Sequence, residues 1–329
     1  MSIARFHMDR FTRRILCGIV LSGAIATAAA EDWPSRTIRI VVPFAPGGVT
    51  DMVSREIAAS MSAGLGQPVI VENRPGAQGT VGTAFVKSAP PDGYTIILMA
   101  SSVGCVNPAM RKNVPFNIAK DFTPIGMIGA APLVMVVAPN AASANLDQFV
   151  SYAKAHPGKV NYSSPGIGGS AHLYGAIMNV THNLNMQLVP YQGGVPALQA
   201  VITGEAQMTF ADMGSATGQL KAGRLKALAV SGDARWPTLP DTPTFAEAGY
   251  PINLVGWVGL MVPVGTPRPA IERLNAELQK FINTKESRDK LVTVGVAARS
   301  GSPELMEAVI RESCPAWADA VRQAGIEPE

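Results

Sequence analysis

Ser170 and His172 are the nearest approach in this chain to a nucleophile beside a base, and their spacing defeats them. Nucleophilic catalysis needs a hydroxyl or thiol within reach of a base that a third group orients. Two residues apart on a helix, these side chains point away from each other. No Gly-x-Ser-x-Gly elbow occurs. Metal chemistry fares no better. Beyond residue 30 the histidines are His156, His172 and His182, and none has a second ligand at the spacing a zinc site uses. His156 falls in a helix-stop turn and His182 in a polar stretch, so both read as solvated. No catalytic residue and no metal site is assigned, and the chain does not read as an enzyme.

The run Gly166-Ile167-Gly168-Gly169-Ser170-Ala171 fits a G-x-G-x-x-A dinucleotide fingerprint between a strand and a helix pattern. Its partner is missing. An acid about 20 residues further on should hold the ribose, and Gln187 to Tyr191 contains none. No cofactor is expected.

What remains is anion binding by backbone. Residues 46–50, 164–170 and 191–196 are Gly-rich and each joins a strand end to a helix start. Helix starts offer unpaired N–H groups and a partial positive charge, and glycine lets a ligand approach closely. Neither Arg nor Lys occurs in 46–51, 164–172 or 191–196, so backbone amides rather than a basic clamp would hold an anion. Taken singly, each loop is equally an ordinary βα turn.

The elements that must position these loops alternate. Strand patterns at 37–42, 68–71, 95–99, 160–163, 187–189, 207–210 and 225–231 are separated by helical patterns. That alternation predicts βαβ units and a parallel sheet. Ser302-Pro303-Glu304 is a good start for a last helix, which Pro315 should end or kink.

The N-terminus carries an address. Arg5, Arg10, Arg13 and Arg14 precede an uncharged run, Ile15 to Ala30, ending in Ala28-Ala29-Ala30. These are the parts of a cleaved signal peptide over residues 1–30. The run's 16 residues fall short of the ~20 a spanning helix needs. Arg13-Arg14 leaves twin-arginine export as an alternative to the general secretory route. That segment holds four Arg and one Asp of the chain's 27 basic and 24 acidic residues, so the remainder carries 23 of each. A neutral mature chain has no field for nucleic acid. Two cysteines remain, Cys105 and Cys314, either a disulfide or two buried thiols.

Several stretches resemble one family. Trp33-Pro34, Ile40-Val41-Val42-Pro43-Phe44-Ala45-Pro46-Gly47-Gly48-Val49-Thr50-Asp51, Val71-Glu72-Asn73-Arg74-Pro75-Gly76-Ala77 and Pro91-Asp92-Gly93-Tyr94-Thr95 are similar to the Bug receptors, the periplasmic substrate-binding proteins of tripartite tricarboxylate transporters. The likeness continues through Asp121-Phe122-Thr123-Pro124, Gly168-Gly169-Ser170-Ala171-His172-Leu173, Tyr191-Gln192-Gly193-Gly194 and Leu239-Pro240-Asp241-Thr242-Pro243-Thr244.

The resemblance implies an α/β, two-lobed Venus-flytrap fold of the type II kind, each lobe a sheet flanked by helices. Residues 31–130 and 253–329 would form one lobe and 131–252 the other. It implies a monomer that captures a small organic carboxylate and hands it to membrane permease subunits, or else presents it to a sensor kinase. Carried over by position, Pro46, Gly47, Gly48, Thr50 and Asp51 belong to the first-lobe loop, and Ser101 follows the third strand. Ser164, Gly168, Ser170 and His172 form the second-lobe loop, with Tyr191, Gly194 and Asp212 nearby. Asp51 has a second reading as a helix cap, and His172 as a core residue. Asp212 would bind a ligand amine or hydroxyl, or brace its loop. Ser102-Val103-Gly104-Cys105 departs from the family's more polar run. With both cysteines in one implied lobe, Cys105 and Cys314 are expected to pair.

Overall fold

Runs of Val, Ile, Leu and Met between Gly-rich turns build two sheets. The computed structural model describes residues 33–252 and 254–328, and the export segment assigned to residues 1–30 lies outside them.

The first sheet has order β11-β4-β10-β3-β1-β2. Its strands are β1 (Ile38–Val42), β2 (Val69–Asn73), β3 (Thr95–Ala100), β4 (Phe122–Ala131), β10 (Gly256–Pro263) and β11 (Ala297–Ala298). The second has order β7-β6-β8-β5-β9. It comprises β5 (Leu133–Val137), β6 (Asn161–Ser164), β7 (Gln187–Pro190), β8 (Met208–Asp212) and β9 (Lys226–Val230). Helices α1 (Val49–Leu65), α2 (Thr80–Lys87), α3 (Asn107–Met110), α4 (Ile118–Asp121) and α5 (Leu146–Ala155) come first. Then follow α6 (Ser170–His182), α7 (Gly194–Thr203), α8 (Met213–Lys221), α9 (Arg268–Asn283), α10 (Lys285–Thr293) and α11 (Pro303–Gln323).

The sheets are mixed, which corrects the expectation of a purely parallel one. β1 pairs in parallel with β2 and β3, and β6 with β7 and β8. β10 runs antiparallel to β3 and β4, and β5 antiparallel to β8 and β9. Of the antiparallel strands, β4, β5, β9 and β10 adjoin the passages between sheets, while the two-residue β11 pairs with β4 at the edge. Pro132 alone separates β4 from β5, and β10 opens the return to the first sheet. They carry no βα turn signal, only continuous apolar runs such as Leu133–Val137, buried throughout. Turn spacing therefore does not betray them.

The last helix ties the sheets together. Trp317 of α11 stacks on Tyr174 of α6 at a centroid distance of 6.0 Å, and Tyr174 meets Phe210 of β8 edge-on. The Tyr174 hydroxyl donates to the Leu254 carbonyl in the return passage. Pro315 does not end α11, which continues to Gln323. An internal proline costs about 3 kcal/mol. Trp317, Ala320 and Val321, all buried beyond it, offset that cost at roughly 1.5–3 kcal/mol per large apolar side chain. Cys314 of α11 is bonded to Cys105 in the helical turn Ser102–Val106, with a Cα–Cα distance of 4.7 Å.

Candidate functional site

Four helices open directly after parallel-strand ends: α1 after β1, α6 after β6, α7 after β7 and α8 after β8. Open α/β sheets bind ligands outside such strand ends. Three of the helices begin at glycine (Gly48, Gly169 and Gly193) and the fourth at Asp212, and none of these residues provides a side-chain cap. At α1, α6 and α7 the first-turn N–H groups are thus left to a ligand or to water, whereas the start of α8 packs against Gly295, where a β-carbon would lie 2.5 Å from Gly214 N. Gly193, at φ 115°, takes a backbone conformation that L side chains rarely adopt.

Asp51 shapes the first loop. It is buried, and its carboxylate accepts from Gly47 N–H (2.9 Å), Arg55 Nε (3.0 Å) and Asn73 Nδ2 (2.9 Å). Burial alone would raise its pKa. The Arg55, Gly47 and Asn73 hydrogen bonds outweigh that and hold it below the usual carboxylate range. Asp51 braces the loop while Pro46, Gly47 and Gly48 stay exposed. A β-carbon on Gly48 would meet only the Ala45 carbonyl, at 3.9 Å. The loop face is open.

The second loop is braced in a similar way. Ser164 is buried and donates to the Gly166 carbonyl at 2.7 Å, while the Gly168 N–H donates to His172 Nδ1 at 3.3 Å. His172 is half-buried and orients its own loop. Ser170 and Thr50, both half-buried in first helical turns, have no side-chain partner among the described residues. They are the hydroxyls free to meet a ligand.

Two assigned hydroxyls each have a protein partner. Ser101 is buried, and its Oγ accepts from Trp257 N–H at 3.2 Å. The Tyr191 hydroxyl donates to Glu205 at 3.0 Å. Gly194 has no atom near the position a β-carbon would take, so it contributes open backbone only. Asp212 is exposed to solvent, yet enough protein surrounds it to raise its pKa by desolvation. Both can hold at once in a cleft, where one side of a group is wet and the rest is walled by protein. Its carboxylate has no partner among the described residues.

The two sides meet. A β-carbon on Gly166 would collide with the Gln78 amide, and one on Gly168 would lie 3.8 Å from Arg111 Nε. One on Gly214, at the start of α8, would lie 3.1 Å from Val49 Cγ2, at the start of α1. Loops of the first sheet therefore face helix starts of the second across a narrow gap. Sequence reasoning missed both: Gln78 sits in the Gly76–Gly79 turn between β2 and α2, which by sequence reads only as a turn, and Arg111 lies in no such loop, so only the fold brings the two together. A hollow of about 240 Å³ lined by Arg36, Thr37, Arg39, Tyr94 and Thr95 sits at the other end of β1 and β3. Its cations are already paired, Arg36 with Asp92 and Arg39 with Glu72.

His182, read as solvated, is half-buried and packs edge-on against Tyr250 at 4.8 Å. Burial, and secondarily Lys154, lower its pKa. Among the described residues no group of three or more His, Cys, Asp or Glu could hold a metal, and no helix is long and apolar enough to cross a membrane.

Two sheets joined by two passages, with helix starts converging on one gap, define a two-lobed periplasmic binding protein. The same architecture recurs in solved structures. An R. palustris protein with adipate superposes with a TM-score of 0.86 at 31% identity, covering 91% of this chain and 100% of that one. The binding protein BugD gives 0.83 at 33% identity, covering 90% and 100%. MatC from Rhodopseudomonas palustris with malate gives 0.81 at 32%, covering 88% and 100%. The family model described as tripartite tricarboxylate transporter family receptor matches residues 53–326. Protein BugT of Bordetella pertussis is 31% identical over 321 residues, 97% of this chain and 98% of its own. The chain belongs to the tripartite tricarboxylate transporter receptor family, whose members are solute-binding receptors and not enzymes.

Proposed function

We propose that this protein captures a small organic carboxylate between its lobes in the periplasm and delivers it to permease subunits of a tripartite transporter. The lobes are residues 31–130 with 253–329, and 131–252, and residues 1–30 direct export. The observation that carries the reading is the set of helix starts without side-chain caps at Gly48, Gly169, Gly193 and Asp212. A carboxylate there gains charge-assisted hydrogen bonds and a helix-dipole contribution of roughly 0.3–1 kcal/mol per terminus. Pro46, Gly47, Gly48, Thr50, Gly168, Ser170 and Gly194 supply backbone and hydroxyl contacts. Asp51, Ser164 and His172 hold the loops in shape, Ser101 and Tyr191 stand behind them, and Asp212 meets a hydrogen-bond donor of the ligand. The adipate and malate of the two similar structures are carboxylates of suitable size.

A thermal-shift screen of organic acids against their amides tests the reading. Acids should raise the melting temperature and amides should not. Stabilisation by amides equal to that by acids, or by sugars alone, would overturn it. Ligand contacts from both lobes favour the closed state, so scattering at saturation should give a smaller radius of gyration.

A further inference from the structure

The carboxylate reading accounts for the glycine loops but leaves two residues of the gap unexplained. Gln78 and Ala77 are consecutive non-glycine residues in the left-handed region, at φ 53° and 46°. Such conformations are unfavourable, persist only where surrounding structure imposes them, and cluster at functional sites. Here Asn107 imposes it: its Nδ2 donates to the Gln78 carbonyl at 3.4 Å and to Thr80 Oγ1 at 2.9 Å. The bent backbone sends the Gln78 side chain over Gly166 and Gly169, the latter positioned so that a β-carbon would lie 3.7 Å from Oε1. Beside it, Arg111 approaches Gly168 from the end of α3. Arg111 is half-buried, and its guanidinium has no ion pair or hydrogen bond among the described residues. A cation held in a gap without a counter-ion is a place for an anion's charge.

We propose that Arg111 and Gln78 set the specificity of the cleft: Arg111 pairs with the second acidic group of a diacid whose first carboxylate lies on the uncapped helix starts, and Gln78 latches the first lobe onto the Gly166–Gly169 loop. This rests on the carboxylate reading above and adds the charge that the loops themselves lack. Gly166 and Gly168, at φ 148° and 88°, leave the room in which both side chains reach the second lobe.

Calorimetry with the mature protein tests it, using a series of straight-chain diacids against the monoacid and the monoamide of equal length. Wild type should bind the best diacid at least tenfold more tightly than its monoacid. Arg111→Met should weaken the diacid more than the monoacid and so abolish that difference, and Arg111→Lys should restore part of it. Gln78→Gly removes the latch without straining the backbone and should weaken mono- and diacids alike; unchanged affinity for both would overturn the latch. A tenfold preference that survives in Arg111→Met, or no preference in wild type, overturns the inference while the carboxylate reading stands. Failure of wild type to bind any acid overturns both.

Discussion

Helix starts in this molecule are finished in two opposite ways. Away from the gap, α5, α10 and α11 begin at Asn145, Thr284 and Ser302, whose side-chain oxygens accept from Gln148, Ser287 and Leu305 N–H at 2.9, 3.1 and 3.3 Å. At the gap, α1, α6 and α7 begin at glycine, and α8 at an aspartate that does not cap. Glycine at such a position costs only a few tenths of a kcal/mol relative to a capping side chain. The same backbone groups can therefore be closed for stability or left open for a ligand at almost equal stability. The difference between the two regions is one of access more than of strength.

The largest expected effect breaks the open set. Gly48 has φ −80°, which any residue adopts, and its β-carbon position is nearly empty. Gly48→Leu should therefore fold normally and cover the amides of α1. Calorimetry should show carboxylate affinity falling by about 1.5–3 kcal/mol, the worth of hydrogen bonds to a charged group. Unchanged affinity would mean that α1 does not hold the ligand. Next, Asp51→Ala removes the carboxylate to which Gly47, Arg55 and Asn73 all donate. It should lower unfolding free energy by about 2 kcal/mol and, by loosening the loop, weaken binding. Denaturant midpoints and titrations of one sample check both.

On the closed set the two readouts should separate. Asn145→Ala and Ser302→Ala should each cost about 1 kcal/mol of stability with ligand affinity unchanged. A shift in Kd would erase the distinction between the two regions. The smallest effect is in pH dependence. Asp51 has a lowered pKa, so its stabilisation is present above the ordinary carboxylate pKa and is lost as pH falls through the lowered value. Asp212 has a raised pKa, so its favourable contribution is present below the ordinary value and is lost as pH rises through the raised one. Unfolding curves should show Asp212→Asn gaining on wild type as pH rises from about 4 to 8, and wild type losing its advantage over Asp51→Asn only as pH falls below about 4.

The loops and the residues that brace them are legible in the sequence because their chemistry is local. The pattern over residues 46–51 needs no distant partner to be read, and Pro46-Gly47-Gly48, Gly168-Gly169 and Gly193-Gly194 announce turns by composition alone. Asp51 braces the loop ahead of α1 through Gly47 N–H and caps none of the helix's own N–H groups. Strands β4, β5 and β10 are illegible, since a continuous apolar run has no period to distinguish it. Tyr191 and Ser101 read as ligand groups, and only the fold shows that each hydroxyl also has a protein partner, Glu205 and Trp257.

By itself, then, the sequence determined the alternation of strands and helices and the glycine helix starts, since each depends on neighbours within a few residues. Only tertiary structure decided that Gln78 and Arg111 stand over Gly166 and Gly168, and that Asp212 is both wet and desolvated. Those properties belong to pairs of surfaces brought together by two passages of the chain, and no local pattern encodes a distance between residues so far apart along it.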